Sequence, residues 1–210
     1  MKKTIFLLAI CLALVSVTLT GCVKVVKIGE EDALIGREEN AGLDVASFWD
    51  SQAIPEIEGT AVELNALLND AGGDLSSQAD KAHKTQGSNG MDFAVHGRAE
   101  VTEVMTEKKA GYITLKVDGY EGNTVVKLQV GTVFKQYSVR DYLSFINVNS
   151  FSDQIEYAQL AKNINNYILE HVIADTDVNA LVGKTVDFYG CFTYEKDDEI
   201  LITPVALTVE

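Results

Sequence analysis

Met91-Asp92-Phe93-Ala94-Val95-His96-Gly97-Arg98-Ala99-Glu100-Val101-Thr102-Glu103 changes the character of the chain. Here Phe93, Val95, Gly97, Ala99, Val101 and Glu103 alternate with polar or small residues. A period of two places alternate side chains on opposite faces of an extended chain, so this is a long strand. Two further strands follow, Tyr112 to Val117 and Thr124 to Val130, joined by Asp118-Gly119-Tyr120-Glu121-Gly122-Asn123, which is rich in turn residues. The period then becomes helical. Ser138 is a candidate N-cap for Val139 to Phe145, and a longer helix is predicted from about Asp153 to Val172 on the stripe Tyr157, Leu160, Ala161, Ile164, Tyr167, Ile168 and Val172. Strands return at Thr185 to Tyr194 and Ile200 to Val209. Three strands, a helical insert and two strands is the element order of a five-stranded OB-like Greek-key barrel. Gly97 is a candidate point for the long first strand to bend between two sheets. An open antiparallel sheet packed on the long helix is the alternative.

Upstream of the barrel the pattern is helical. Asp44 is a plausible N-cap for Val45 to Ile54, with Phe48 and Trp49 as the large apolar side chains. Pro55 either kinks this helix or opens the next, where its missing N–H does no harm. Ile57, Ala61, Leu64, Leu67 and Leu68 form a helical stripe that Gly72-Gly73 ends, and Asp74 to His83 reads as a weaker third helix. Gln86 to Gly90 is a loop. The expected fold class is therefore α+β, with a small helical domain at 43–88 and a barrel domain at 89–210 carrying a helical insert at 138–173.

The N-terminus gives an address. Lys2 and Lys3 precede an uncharged apolar run from Ile5 to Val17, followed by Leu19-Thr20-Gly21-Cys22. This is the layout of a secretory signal peptide with cleavage directly before a cysteine. It resembles a bacterial lipobox, in which the cysteine is acylated, with chains such as palmitate, and becomes the mature N-terminus. The apolar run is shorter than the roughly 18–20 residues that span a bilayer. Residues 1–21 are thus expected to be removed, Cys22 to carry lipid, and 22–42, charged and glycine-containing, to act as a tether. Localisation follows: the cell membrane, lipid-anchored, facing the periplasm or the extracellular side.

Of 210 residues, loss of the first 21 leaves 189, enough for one sizeable core. The charge of −14 becomes −16 without Lys2 and Lys3. Lys and Arg do not cluster, so a nucleic-acid partner is excluded on electrostatic grounds. Cys11 departs with the signal and Cys22 is the lipid acceptor, leaving Cys191 without an internal disulfide partner. Within Asp187 to Phe192 it reads as a small buried apolar side chain.

Searches for chemistry return little. His83, His96 and His171 lie far apart, and there is no Cys-x-x-Cys. Asp175-Thr176-Asp177-Val178-Asn179 begins like a calcium loop, but Ala180 and Val186 occupy the positions of its glycine and glutamate. Gly183-Lys184-Thr185 lacks the earlier glycine of a phosphate loop, since position 178 is Val, and it enters a strand. No Gly-x-Ser-x-Gly is present. No cofactor or metal is expected. The densest polar and aromatic group runs from Ser138 to Tyr157, and Arg140, Asp141, Asn149, Gln154, Glu156 and Tyr157 are the candidate ligand or partner surface. Arg and carboxamide side chains beside aromatics can hold a sugar or a small polar ligand. The competing reading is helix caps and a structural ion pair at a helix–loop–helix corner. Trp49, the single tryptophan, reads as core, or as an interface residue if the helical segment projects.

The chain resembles a family of predicted bacterial periplasmic lipoproteins of unknown function. The resemblance rests on the lipobox with Cys22-Val23-Lys24-Val25-Val26, on Phe48-Trp49-Asp50 with Pro55, on Arg140-Asp141 followed by Phe145, on Asn149 to Ala158, and on Leu181 to Val186 with Ile202-Thr203-Pro204-Val205. The family pattern has Thr-Asn where this chain has Ser152-Asp153. The resemblance implies a small helical domain plus an OB-like domain, and genes beside sugar ABC-transporter components. It brings no catalytic residues. The expected function is a non-enzymatic, lipid-anchored accessory protein of the cell envelope, with a sugar ABC transporter or its binding protein as partner. A sugar-binding lipoprotein is the alternative, and an unrecognised hydrolase the third reading.

Overall fold

The long strand predicted from the alternation is present, and it organises everything else. The computed structural model describes residues 44–83 and 90–210. The signal segment 1–21, Cys22, the tether 22–42 and most of the expected Gln86–Gly90 loop lie outside them. The regular elements are α1 (Ile54–Thr60), β1 (Val62–Glu63), α2 (Leu64–Ala71), β2 (Asp92–Met105), β3 (Tyr112–Val117), β4 (Val125–Gln129), α3 (Ser138–Tyr142), α4 (Gln154–Ile168), β5 (Thr185–Thr193) and β6 (Glu199–Val209).

β2 is long enough to serve two neighbours. Its first part, Asp92 to Glu100, pairs antiparallel with β5, and its last part, Ala99 to Met105, pairs antiparallel with β3. β3 pairs antiparallel with β4, β4 runs parallel to β6, and β6 pairs antiparallel with β5. The sheet order β1-β2-β3-β4-β6-β5, closed by β2–β5, is a five-stranded barrel with one added strand. This is the OB-type connectivity that the element order predicted. The irregularity in β2 falls between Val101 and Glu103, beyond Gly97. Gly97 serves close packing instead: a Cβ there would meet Phe188 Cζ at 3.4 Å and Leu64 Cβ at 3.5 Å.

The barrel interior takes the apolar half of each alternation. Phe93, Val95, Ala99 and Val101 from β2 are buried with Ile113, Leu128, Val186, Phe188, Phe192 and Ile202. The rings of Phe93 and Phe192 stack at 5.0 Å. At Gly190 the walls touch: a Cβ would lie 2.5 Å from Ile202 Cγ2 and 2.6 Å from the Thr203 carbonyl oxygen.

The helical segment is more broken than its apolar stripe suggests. Asp44 caps a single 3₁₀ turn, Val45–Ser47, by accepting from the Ala46 N–H at 3.1 Å. A π-helical turn, Trp49–Ala53, leads into α1, with Pro55 in its first turn. The stripe from Ile57 to Leu68 is interrupted, because Val62 and Glu63 are extended and pair parallel with Val95 and His96. The cause is long-range. β3 covers β2 only from Ala99 onward, which leaves an edge at Val95–His96 whose backbone groups need partners, and β1 supplies them. Gly72, at φ 57°, ends α2 as expected. The third helix expected at Asp74–His83 reduces to one 3₁₀ turn, Leu75–Gln78, after which His83 bridges to Asp92.

The insert also differs in detail. α3 is shorter than the predicted Val139–Phe145, and Ser138 lies inside it instead of capping it. Its hydroxyl is fully buried, donating to the Cys191 carbonyl at 3.0 Å and lying 3.1 Å from Thr203 Oγ1. α4 and the π-helical turn Leu169–Ile173 match the long predicted helix. They bury Leu160, Ala161, Ile164, Ile168 and Ile173. The division expected between 43–88 and 89–210 is not marked by a separate core. Trp49, Ile57, Leu64 and Leu68 share one hydrophobic cluster with the barrel, inside one compact unit, 41–210. Trp49 is buried against Tyr167, ring centroids 5.1 Å apart.

Candidate functional site

α3 packs against β2 and β5 and carries Arg140 and Asp141. Arg140 is 8% exposed. Its Nε donates to Asp141 Oδ1 at 2.7 Å, its Nη2 lies 2.6 Å from the same oxygen, and its Nη1 donates to the Tyr157 carbonyl at 3.2 Å. The guanidinium carbon lies 3.7 Å from the centroid of the Tyr157 ring and 5.1 Å from that of Tyr137. The Tyr157 hydroxyl donates to Asp141 Oδ1 at 3.1 Å. Burial, with the Asp141 charge added, pushes the Tyr157 phenol up to about 12. The phenol is therefore a hydrogen-bond donor at neutral pH and not a base.

Three of the six sequence-predicted residues thus meet: Arg140, Asp141 and Tyr157. Glu156 faces the start of α4, where its Oε2 accepts from the Ser152 N–H at 2.8 Å while Asp153 Oδ1 accepts from the Glu156 N–H at 2.8 Å. Both bonds tie down the start of α4, at its N-cap Asp153 and at the residue before it. Asn149 and Gln154 are exposed and stand apart from the Arg140 cluster. The backbone N–H of Asn149 donates to Asn147 Oδ1 at 2.9 Å. Chemically, the cluster clamps α3 to α4, with both the donors and the face of the guanidinium engaged inside the protein.

Two groups escaped sequence reasoning. Asp92 is 1% exposed. It receives the Thr193 hydroxyl on Oδ1, while Oδ2 is buried without a hydrogen-bond partner among the described residues. Burial raises its carboxyl to about 6. In sequence Asp92 occupies a solvent-facing position of the alternation, and nothing local announces that it is buried in the fold.

The second group lines an open cavity of about 450 Å³ on the outer face of β2, β5 and β6. Its walls include Glu58, Glu63, His96, Arg98, Asp187 and Tyr189. The His96 and Tyr189 rings stack across strands at 5.2 Å. Arg98 is held by Asp187 at 2.8 Å, by Glu210, and by Asp118 at 3.8 Å. Alternation alone puts these side chains outward, but only the strand register brings them together.

Among the described residues no group of three or more His, Cys, Asp or Glu side chains is placed to hold a metal ion. The Asp175–Asn179 stretch enters a 3₁₀ turn, Val178–Ala180, ahead of β5. Cys191 is fully buried, and burial pushes its thiol well up from the ordinary range. Among the described residues no helix is long and apolar enough to cross a membrane.

The sequence profile of one family, described as predicted periplasmic lipoprotein (DUF2291), matches residues 12–208. The chain belongs to this family. The matched span includes Cys22, Arg140, Asp141 and Tyr157. Among solved structures the chain is similar to an OB-fold protein from Thermotoga maritima, with 20% identity and a TM-score of 0.61. That similarity covers 79% of this chain and 96% of the other, and it shows the fold alone. A comparison with curated proteins finds no match.

Proposed function

We propose that this family member is a lipid-anchored, non-enzymatic accessory protein of the cell envelope. It is held to the membrane through Cys22 and works by binding a protein partner, a sugar ABC transporter or its binding protein. The observation that carries this reading is the Leu19–Cys22 lipobox, which lies inside the family match to predicted periplasmic lipoproteins. The Arg140–Asp141–Tyr157 clamp supports it, since its polar groups are spent on holding the fold. Cross-linking on intact cells, followed by purification and mass spectrometry, tests the reading. Recovery of transporter components with the wild-type chain, and their loss with Cys22→Ser, is the expected result. Recovery of no envelope protein in repeated experiments refutes it.

The cavity beside His96 and Tyr189 favours a second reading, that of a small-ligand binder with sugar as the first candidate. About 450 Å³ lies within the range of ligand pockets. Aromatic faces with carboxylate and guanidinium neighbours suit a polyhydroxylated ring. A thermal-shift and calorimetric screen with sugars, repeated on Tyr189→Ala, tests it. A sugar that shifts the wild type and not the variant supports this reading, and no shift at millimolar concentration removes it.

A further inference from the structure

Asp92 stands where the helical segment is clipped to the barrel. The His83 N–H donates to the Asp92 carbonyl at 2.7 Å, and the Asp92 N–H donates to the His83 carbonyl at 3.1 Å. Close by, the Tyr142 hydroxyl donates to Thr60 Oγ1 at 2.7 Å, Glu56 Oε1 accepts from the Ser144 N–H at 2.8 Å, and the His83 and Tyr142 rings lie 5.6 Å apart. These contacts join the segment 44–83 to α3 and β2. On the barrel side of the clip, Asp92 carries a carboxyl with one oxygen satisfied by Thr193 and the other buried without a partner among the described residues.

We propose that Asp92 is a proton-operated latch. With the carboxyl neutral, the two-bond clip to His83 stays closed; ionisation of the buried carboxyl favours local release of the clip, while the shared core and the β1–β2 pairing keep the rest of segment 44–83 on the barrel. The cause is the unpartnered oxygen. A buried negative charge lacking its second set of hydrogen bonds is costly, and opening the clip gives it water. The charged and titratable groups around it act in both directions. Asp141 on α3 opposes ionisation and Arg140 on the same helix favours it, with Arg140 and Asp141 both tied to Tyr157 of α4. Cys191 on β5 is coupled to Asp92 and to Glu56 of α1, and the rings of His83 and Tyr142 border the seam.

The sign follows from linkage. The closed form keeps its proton up to about pH 6, whereas an exposed carboxyl loses it near 3.8. Between those values the closed form binds more protons, so rising pH favours the open form. The opening constant of the clip should rise about 50-fold between pH 4 and pH 7.5.

Amide hydrogen exchange at His83 and Asp92, corrected for the intrinsic pH dependence of exchange, reads that constant on the full chain. The rise is expected in the wild type and absent in Asp92→Asn, which keeps an acceptor for Thr193 and also separates the carboxyl from the His83 imidazole. A flat wild-type profile overturns the proposal without any variant, and so does an equal rise in Asp92→Asn.

Discussion

Replacing Arg140 with methionine, which keeps the aliphatic stem and removes the guanidinium, tests whether the Arg140 clamp holds the fold. Arg140 is 8% exposed, and its charged partner Asp141 lies within 2.6–2.7 Å. At an effective dielectric constant near 20, a pair with charge centres roughly 4 Å apart is worth about 4 kcal/mol before desolvation. The bond to the Tyr157 carbonyl adds about 1.5 kcal/mol, as hydrogen bonds from charged donors do. Desolvation of the guanidinium, which the variant no longer incurs, offsets part of this, and Asp141, about 20% exposed, recovers some water. The net loss should be about 3 kcal/mol. With a urea slope of about 2 kcal/mol per molar, the midpoint falls by roughly 1.5 M. Asp141→Asn alone should cost less, and the double variant should recover about 2 kcal/mol of coupling in a mutant cycle. The assay is equilibrium urea unfolding of the chain carrying Cys22→Ser, followed by the fluorescence of buried Trp49. A loss under 1 kcal/mol with no coupling refutes the clamp and returns the guanidinium to the ligand reading.

Two glycines should respond in opposite directions to alanine. Gly190→Ala drives a Cβ against Ile202 and the Thr203 carbonyl and should cost about 1–3 kcal/mol. Gly59→Ala, in α1 with open space around it, should stabilise by about 0.5–1 kcal/mol, and thermal melts of both variants check the pair. Lys127 and Lys196 hold the Glu199 carboxyl below its ordinary 4.5, with the Lys127 hydrogen bond the main cause. That stability is present above pH 4.5 and is lost as pH falls through the lowered folded value. Because the pair is partly exposed, it amounts to less than about 1 kcal/mol. As pH is lowered from 6 to 3, urea midpoints should therefore fall less steeply in Lys127→Met than in the wild type.

The parts of the fold that were legible depend on near neighbours in the chain. The alternation in β2, the cap at Asp44 and the stop at Gly72 each act over a few residues, and each stands where the sequence placed it. The parts that were not legible depend on distant partners. Val62 and Glu63 leave the helical stripe because β2 offers them an edge some thirty residues later. Ser138 abandons its capping role because its hydroxyl meets Cys191 and Thr203. Of the six candidate residues, sequence proximity brought Arg140, Asp141 and Tyr157 together correctly, because one corner joins α3 to α4. It could not separate Asn149 and Gln154 from them, since exposure depends on how the corner packs. Asp92 and the His96–Tyr189 pair were invisible for the same reason, as burial and register are properties of the closed barrel.

Mass spectrometry of the N-terminal peptide, from the protein purified out of its own membranes, tests the central claim most directly. The account predicts a mature chain that begins at Cys22 and carries a lipid adduct. A first residue other than Cys22, or an unmodified Cys22 on chains recovered from the soluble fraction, would contradict it.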